Sequence, residues 1–303
     1  MTSPSVSILI NNYNYGRFLD DAVSSALGQT YQNVEVVVVD DGSTDNSREV
    51  LKKYEGRAKI ILKENGGQAS AFNAGFANST GDIICFLDSD DMYDSKKAET
   101  IVQAFLTHPD AAYCFDKVLH TDETMTPIKE EHRTGRLYTT DYRSQMEGGS
   151  LKNHLVMPIP ATSGLSFRRE FLAKIFPIAE SESCSMCENY MKYIAVGTEK
   201  GVFLDTALTL QRLHGSNLFT VKKKDPSMGA RISILTGYWL YKNFPVLARF
   251  ADTQIALGLS LMKKAGGLDQ KYKDYITDYI RLRGALANIS IRLRALYYTL
   301  KSA

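Results

Sequence analysis

The 303 residues are 44% hydrophobic and 23% charged, which fits one large or two ordinary globular domains and excludes a disordered or fibrous chain. With 36 basic against 34 acidic residues the formal charge is only +2, so no global field points to nucleic acid. The start, Met1-Thr2-Ser3-Pro4, carries no basic n-region or cleavable apolar core, and no run reaches the ~18 apolar residues of a membrane span; a cytoplasmic protein is expected.

Apolar strand-like runs alternate with amphipathic segments through the first half. The runs are Ser5 to Ile10, Val34 to Val39, Lys59 to Leu62, Ile83 to Leu87 and Ala111 to Phe115; the helix candidates are Phe18 to Leu27, Ser47 to Tyr54, Gln68 to Phe76 and Lys96 to Leu106. That alternation is the pattern of β-α-β units on a parallel sheet. Open parallel sheets bind ligands outside the carboxyl ends of their strands. The loops there are polar: Asn11 to Gly16 after the first strand, Asp40 to Asp45 after the second, Asn65-Gly66-Gly67-Gln68 after the third, and an aspartate cluster after the fourth. From Lys117 to Pro160 the periodicity fades into a polar, Pro- and Gly-punctuated stretch, read as a lid or substrate-facing insertion. Strand signals return at Gly164 to Phe167 and Val202 to Leu213, and after Asp225-Pro226 the pattern is helical, so a boundary is placed near residue 221.

The aspartate cluster is the sharpest chemical signal. In Asp88-Ser89-Asp90 the period of two puts both carboxylates on one side of an extended segment, and like charges that close ask for a counter-charge. A hard divalent ion, Mg²⁺ or Mn²⁺, shared between carboxylates and phosphate oxygens answers it. A solvated acidic turn, with Asp94 or Ser95 capping the next helix, is the plain alternative. Asp40 and Asp41 close the second strand, where a carboxylate can accept from a base N–H or a ribose hydroxyl, although Asp41-Gly42-Ser43 also suits a simple turn and cap. Gly66-Gly67 at a helix start lets backbone approach a ligand. Neither a dinucleotide G-x-G-x-x-G nor a P-loop is present. Of the cysteines, Cys85 and Cys114 lie in apolar runs, and Cys184-Ser185-Met186-Cys187 has no second pair to complete a zinc site, so incidental or structural thiols are expected.

These segments resemble, in order and spacing, the blocks of family 2 glycosyltransferases: Val6 to Tyr15, Gln29-Thr30-Tyr31, Val37 to Asp45, Asn65-Gly66-Gly67 with Asn73-Ala74-Gly75, and Phe86 to Asp91. Downstream, Ala161 to Arg169 resembles the glycine-containing segment before the catalytic helix, and Leu208 to Asn217 the end of the catalytic domain. The resemblance implies a GT-A fold: a mixed, mainly parallel α/β sheet flanked by helices, here with a C-terminal helical extension. It divides the chain into a catalytic domain over 1–221, its nucleotide half about 1–116 and acceptor half about 117–221, and a helical region over 222–303. It further implies an inverting transfer from a nucleoside-diphosphate sugar, a UDP-sugar foremost, to a hydroxyl of a glycan or lipid-linked acceptor.

Residue by residue, the resemblance assigns Asn11, Tyr13, Asp40, Gly67, Asn73, Asp88 and Ser89 to the donor, with Asp40 at the base. It gives the metal to Asp90 and Asp88 with His214 completing the contacts. The family's base is an Asp soon after the glycine segment, often preceded by Glu, whereas this chain reads Cys187-Glu188-Asn189-Tyr190. In one register Glu188 is the base; in the other Asn189 has replaced it, and the domain would bind nucleotide or glycan with weak turnover or none.

Leu282, Leu286, Ile289, Leu293, Leu296 and Leu300 recur at four and three as one helical stripe, flanked by Arg281 and Arg292 on one side and Arg283 and Arg294 on the other, with no acid after Asp278. Such a stripe suits packing on the catalytic domain, a homodimer contact, or peripheral contact with anionic lipid at the inner face of the membrane.

Overall fold

Continuous β-branched and aliphatic runs bury both faces of a strand, and three of them, with a partly exposed fourth at the edge, form one half of the sheet. A computed structural model describes residues 3–129, 134–151, 154–180, 187–215, 217 and 225–301. β1 (Val6–Asn12), β2 (Val34–Asp40), β3 (Lys59–Leu62) and β4 (Ile83–Asp88) pair in parallel in the order β3-β2-β1-β4, with Asn12 level with Asp40 and Asn11 level with Asp88. The register brings the carboxyl ends of β1, β2 and β4 to one rim.

Four helices connect or follow these strands: α1 (Gly16–Leu27), α2 (Ser47–Lys52), α3 (Gln68–Ala77) and α4 (Lys97–Thr107). Their apolar stripes, Leu19, Val23 and Ala26 on α1 and Ile101, Val102 and Phe105 on α4, sink into the same core as Ile8, Val38 and Cys85. The short strand β5 (Met92–Tyr93) pairs antiparallel with a later strand; β6 (Tyr113–Thr121), β7 (Leu137–Asp141), β8 (Leu165–Arg168) and β9 (Lys200–Arg212) complete the sheet in the order β4-β8-β6-β9-β5, with β7 also on β9. β8 runs antiparallel to β4 and β6, while β6 and β9 are parallel, so the sheet is mixed and mainly parallel as expected.

The stretch read as a lid or substrate-facing insertion is partly regular. β6 continues to Thr121, past register shifts at Asp116 to Val118, and β7 and α5 (Arg143–Glu147) follow. Buried positions, Leu119, Thr121, Thr140, Tyr142 and Met146, alternate irregularly with exposed and partly exposed ones, so the periodicity was diluted rather than absent. Asp94 does not cap α4: it accepts the Lys96 amide one turn earlier, and Lys96 holds the N-cap position without a side-chain bond.

Two compact units result. One comprises Met1–Thr140, Val156–Cys187 and Glu199–His214, including α6 (Arg169–Leu172); the other comprises Asp141–Leu155, Glu188–Thr198 and Gly215–Ala303. The second unit therefore takes in α5 and most of α7 (Cys187–Thr198) as well as the C-terminal helices; the boundary expected near residue 221 lies outside the described residues. Its helices are α8 (Pro226–Asn243), α9 (Ala248–Lys264), α10 (Gln270–Arg283) and α11 (Ala285–Lys301). Asp225 caps α8 by accepting from Ser227 N, with Pro226 at the first helical position. Gly284, at φ 82°, separates α10 from α11, so the leucine stripe runs over two helices and not one.

Candidate functional site

The carboxyl ends of β4 and β9 converge on the aspartate cluster. Asp88, Asp90 and Asp91 each offer a carboxylate oxygen within 4.8 Å of the others. His214, two residues beyond β9, points Nε2 at Asp90 Oδ2 at 3.0 Å. Its imidazole is buried between aromatic rings, with centroids 4.6 Å from Phe18 and 5.6 Å from Tyr15. Burial, with Asp90 and Asp88 nearby, pushes the Tyr15 phenol up to about 12, so it stays a neutral donor beside the acids.

The three acids differ in role. Asp91 is enclosed: Oδ2 accepts from Ser163 Oγ at 2.6 Å and Oδ1 from the Arg212 amide at 3.0 Å. Burial, and then the Asp90 and Asp88 charges, push its carboxyl well above the ordinary range. Asp88 is half-buried, its Oδ1 held by Asn11 Nδ2 at 3.2 Å and its amide by Ser163 Oγ at 3.0 Å. Ser89 is buried between them. The clustered Asp88, Asp90 and Asp91 oxygens, with the His214 imidazole on Asp90, make a donor set that fits Mn²⁺ or Mg²⁺ with places left for other ligands.

Arg212 is the brace that sequence reading overlooked. Its Nε donates to the Asp90 carbonyl at 3.1 Å, Nη2 to Asp21 at 2.6 Å, and the guanidinium lies 4.5 Å over the Phe18 ring. Two residues before His214, it fixes the end of β9 against the aspartate loop. A second brace lies deeper. Lys97 Nζ, wholly buried, meets Asp116 Oδ1, the Ser163 carbonyl at 2.8 Å and Thr209 Oγ1 at 2.9 Å. Only the 3.6-residue spacing of Lys97 with Ile101 and Phe105 marked it as facing inward, a weak signal for a lysine.

Around β2 the expected donor contacts are organised by hydrogen bonds within the chain. The Asp40 carboxylate has no exposure; Oδ2 accepts from Asn12 Nδ2 at 2.8 Å and Oδ1 from Ser43 N at 3.0 Å, with Arg48 Nε at 3.8 Å. Asp41 accepts from Lys63 Nζ at 2.6 Å, Gly66 N at 3.0 Å and Gly67 N at 2.7 Å, so the glycine amides grip this side chain. Gly67 needs its φ of 83° to turn that amide inward. Asn14, at φ 58°, accepts from Thr44 N and joins the first two rim loops. Gly42, Arg48, Leu62, Lys63, Glu64 and Asn65 line an open cavity of about 460 Å³ at the ends of β2 and β3.

Tyr13 stands 48% exposed on the rim, and Asn11 Oδ1 is buried without a hydrogen-bond partner among the described residues. Asn73 is placed otherwise than the resemblance implies: its amide donates to the Ile178 carbonyl and Glu180, and accepts from Ile178 N, clasping the segment 178–180. Glu188 lies in the other unit, in the first turn of α7, where its carboxylate pairs with Lys192 one turn on. Cys85 and Cys114 are buried thiols pushed up by burial; Cys184 lies outside the described residues.

Residues 7–176 match the family model described as glycosyl transferase family 2. An uncharacterized glycosyltransferase of Nostoc sp. is 37% identical over 218 residues, 70% of this chain and 66% of the relative. The glycosyltransferase GlyG of Streptococcus pneumoniae is 40% identical over 105 residues, 33% of this chain and 35% of that protein. The chain thus spans under two thirds of the length of these curated relatives. Among solved structures, S. aureus TarS 1–349 in complex with UDP-GlcNAc superposes with a TM-score of 0.63 at 13% identity, covering 97% of this chain and 89% of that one. The TarS complex with UDP gives 0.58 at 16% identity, covering 86% and 72%.

Proposed function

For a chain that belongs to glycosyl transferase family 2, we propose an inverting transfer of a sugar from a nucleoside-diphosphate donor, a UDP-sugar foremost, to a hydroxyl of a glycan or lipid-linked saccharide. The observation that carries it is that Asp88 and Asp90 lie together at the end of β4 and that His214, just beyond β9, bonds Asp90. Mn²⁺ or Mg²⁺ bound by these three would supply positive charge to the diphosphate as it departs. Asn11 orients Asp88 through Nδ2, and its buried Oδ1, without a partner among the described residues, would accept a ribose hydroxyl. The cavity beside Arg48 offers room for the base; Asp40, enclosed behind Arg48, would accept a base N–H once Arg48 moves aside, which would favour uracil or thymine over adenine. The structural neighbour in complex with UDP-GlcNAc supports the same donor class.

Inversion needs a carboxylate to take the acceptor proton on the face opposite the leaving group. Glu188 is the proposed base; its pairing with Lys192 fixes the longer Glu arm in the first turn of α7. The test is a panel of UDP-, GDP-, dTDP- and ADP-sugars incubated with Mn²⁺, read as nucleoside diphosphate released. Turnover of UDP- or dTDP-sugars above the others supports the reading; equal handling of ADP- and UDP-sugars contradicts the role of Asp40.

A further inference from the structure

The C-terminal helix is turned inside out. An amphipathic helix on a globular unit normally buries its leucines, yet α11 buries Ile291 while Leu286 is 85% exposed, and Ile289, Leu293, Leu296, Tyr297 and Leu300 are each more than half exposed. At ~100° per residue these six fall within one arc of about 100°. The opposite face carries Ile291 among alanines and polar side chains. Arg294 Nη1 donates to Thr253 Oγ1 at 2.7 Å and Thr299 Oγ1 to Ser260 Oγ at 3.0 Å, so α11 runs alongside α9 in the same direction with its leucines outward.

Charge decides what the face meets. Residues 279–303 contain no acid, and the single acid of α9, Asp252, is buried and bound by Tyr279 and Arg283. Every exposed charge on α9 and α11 is therefore a cation: Arg249, Lys263, Lys264, Arg292 and Lys301. Lys263 and Lys264 follow Ser260 by one turn, at the same end as Lys301 beyond Thr299. Of the four arginines expected to flank the stripe, Arg283 is spent on Asp252, Arg281 pairs with Asp278 and Arg294 bonds Thr253; Arg292 keeps that position, joined by Lys301. A second copy docked through this face would bring like charges together with no acid on either helix to answer them. An acidic lipid surface takes up both the leucines and the cations. No helix among the described residues is long and apolar enough to cross a membrane.

We propose that the outward face of α11, with the cations of α9, is a docking surface for an anionic lipid bilayer, and that the protein lies on it as a peripheral partner. The binding is independent of donor chemistry, so the two readings fail separately. The experiment is cosedimentation of the full chain with phosphatidylcholine vesicles, with or without phosphatidylglycerol, at low and high salt. The chain should pellet with the anionic vesicles at low salt and be released at high salt. Leu293→Glu with Leu296→Glu should lower the partition about tenfold or more. Arg292→Gln and Lys301→Gln should each lower it about fivefold, and these surface changes keep the test valid if the glutamates disturb folding. Indifference of the wild type to anionic vesicles at low salt overturns the proposal. So does a dimer by light scattering that the glutamates split to monomer without vesicle binding, which would assign the face to a second copy.

Discussion

Ser163 Oγ donates to Asp91 Oδ2 at 2.6 Å and, on its other side, accepts the Asp88 amide at 3.0 Å. One hydroxyl therefore spaces the two ends of the aspartate cluster, while the same residue's carbonyl rests on Lys97 and Thr209. Ser163→Ala leaves a buried carboxylate oxygen and a buried amide without partners, at a cost of about 1–3 kcal/mol in urea unfolding. Mn²⁺ affinity by calorimetry should fall in the same variant. Unchanged stability and unchanged Mn²⁺ affinity would remove Ser163 from the account.

Lys97 and Asp116 form an ion pair with both side chains at zero exposure. Lys97→Met should cost about 3–5 kcal/mol because it strands a buried carboxylate. Adding Asp116→Leu should restore much of that loss. Thermal unfolding of the single and double variants checks it; equal losses in both would show that the carboxylate is not the source of the penalty.

Glu35 anchors the opposite end of the strands. Burial alone would raise its carboxyl, but hydrogen bonds from Ser7, Thr80 and Gly81 outweigh it and hold the group below the ordinary glutamate range. A carboxyl depressed in the folded state contributes stability above its unfolded pKa, near ~4.3, and loses it as pH falls through the folded value. Glu35→Gln should therefore lower the urea midpoint at pH 7 and lessen its further fall on acidification. A variant whose acid limb parallels the wild type's would contradict this.

The rim was legible because its signals are local: buried runs ending in polar loops, and Asp88, Asp90 and His214 in motif contexts. What was not legible is carried by long-range bonds. Lys97, Ser163 and Arg212 act through partners 19 to 191 positions away, as in Lys97 with Asp116 and Arg212 with Asp21. The leucine stripe of α11 was visible, but its outward direction was not, since periodicity fixes a face without saying what covers it. Asn73 shows the converse: its motif position suggested the donor, while its amide clasps Ile178.

Glu188 and Asn189 divide an active enzyme from a binding domain. Glu188→Gln should cut transfer by ~10² to 10⁴ while nucleotide affinity survives. Asn189→Asp should be tolerated or mildly harmful. An inactive wild type that gains transfer through Asn189→Asp would place Asn189 at the base position.

The central claim is that Asp90 and His214 hold a divalent ion on which donor binding depends, and calorimetric titration of UDP with and without Mn²⁺ tests it most directly. The wild type should bind UDP more tightly with Mn²⁺. Asp90→Asn and His214→Ala should each remove that enhancement without unfolding the protein, and together they should remove little more than either alone, because both act through one ion. UDP affinity that ignores Mn²⁺ in the wild type, or an enhancement that survives Asp90→Asn, would contradict the account.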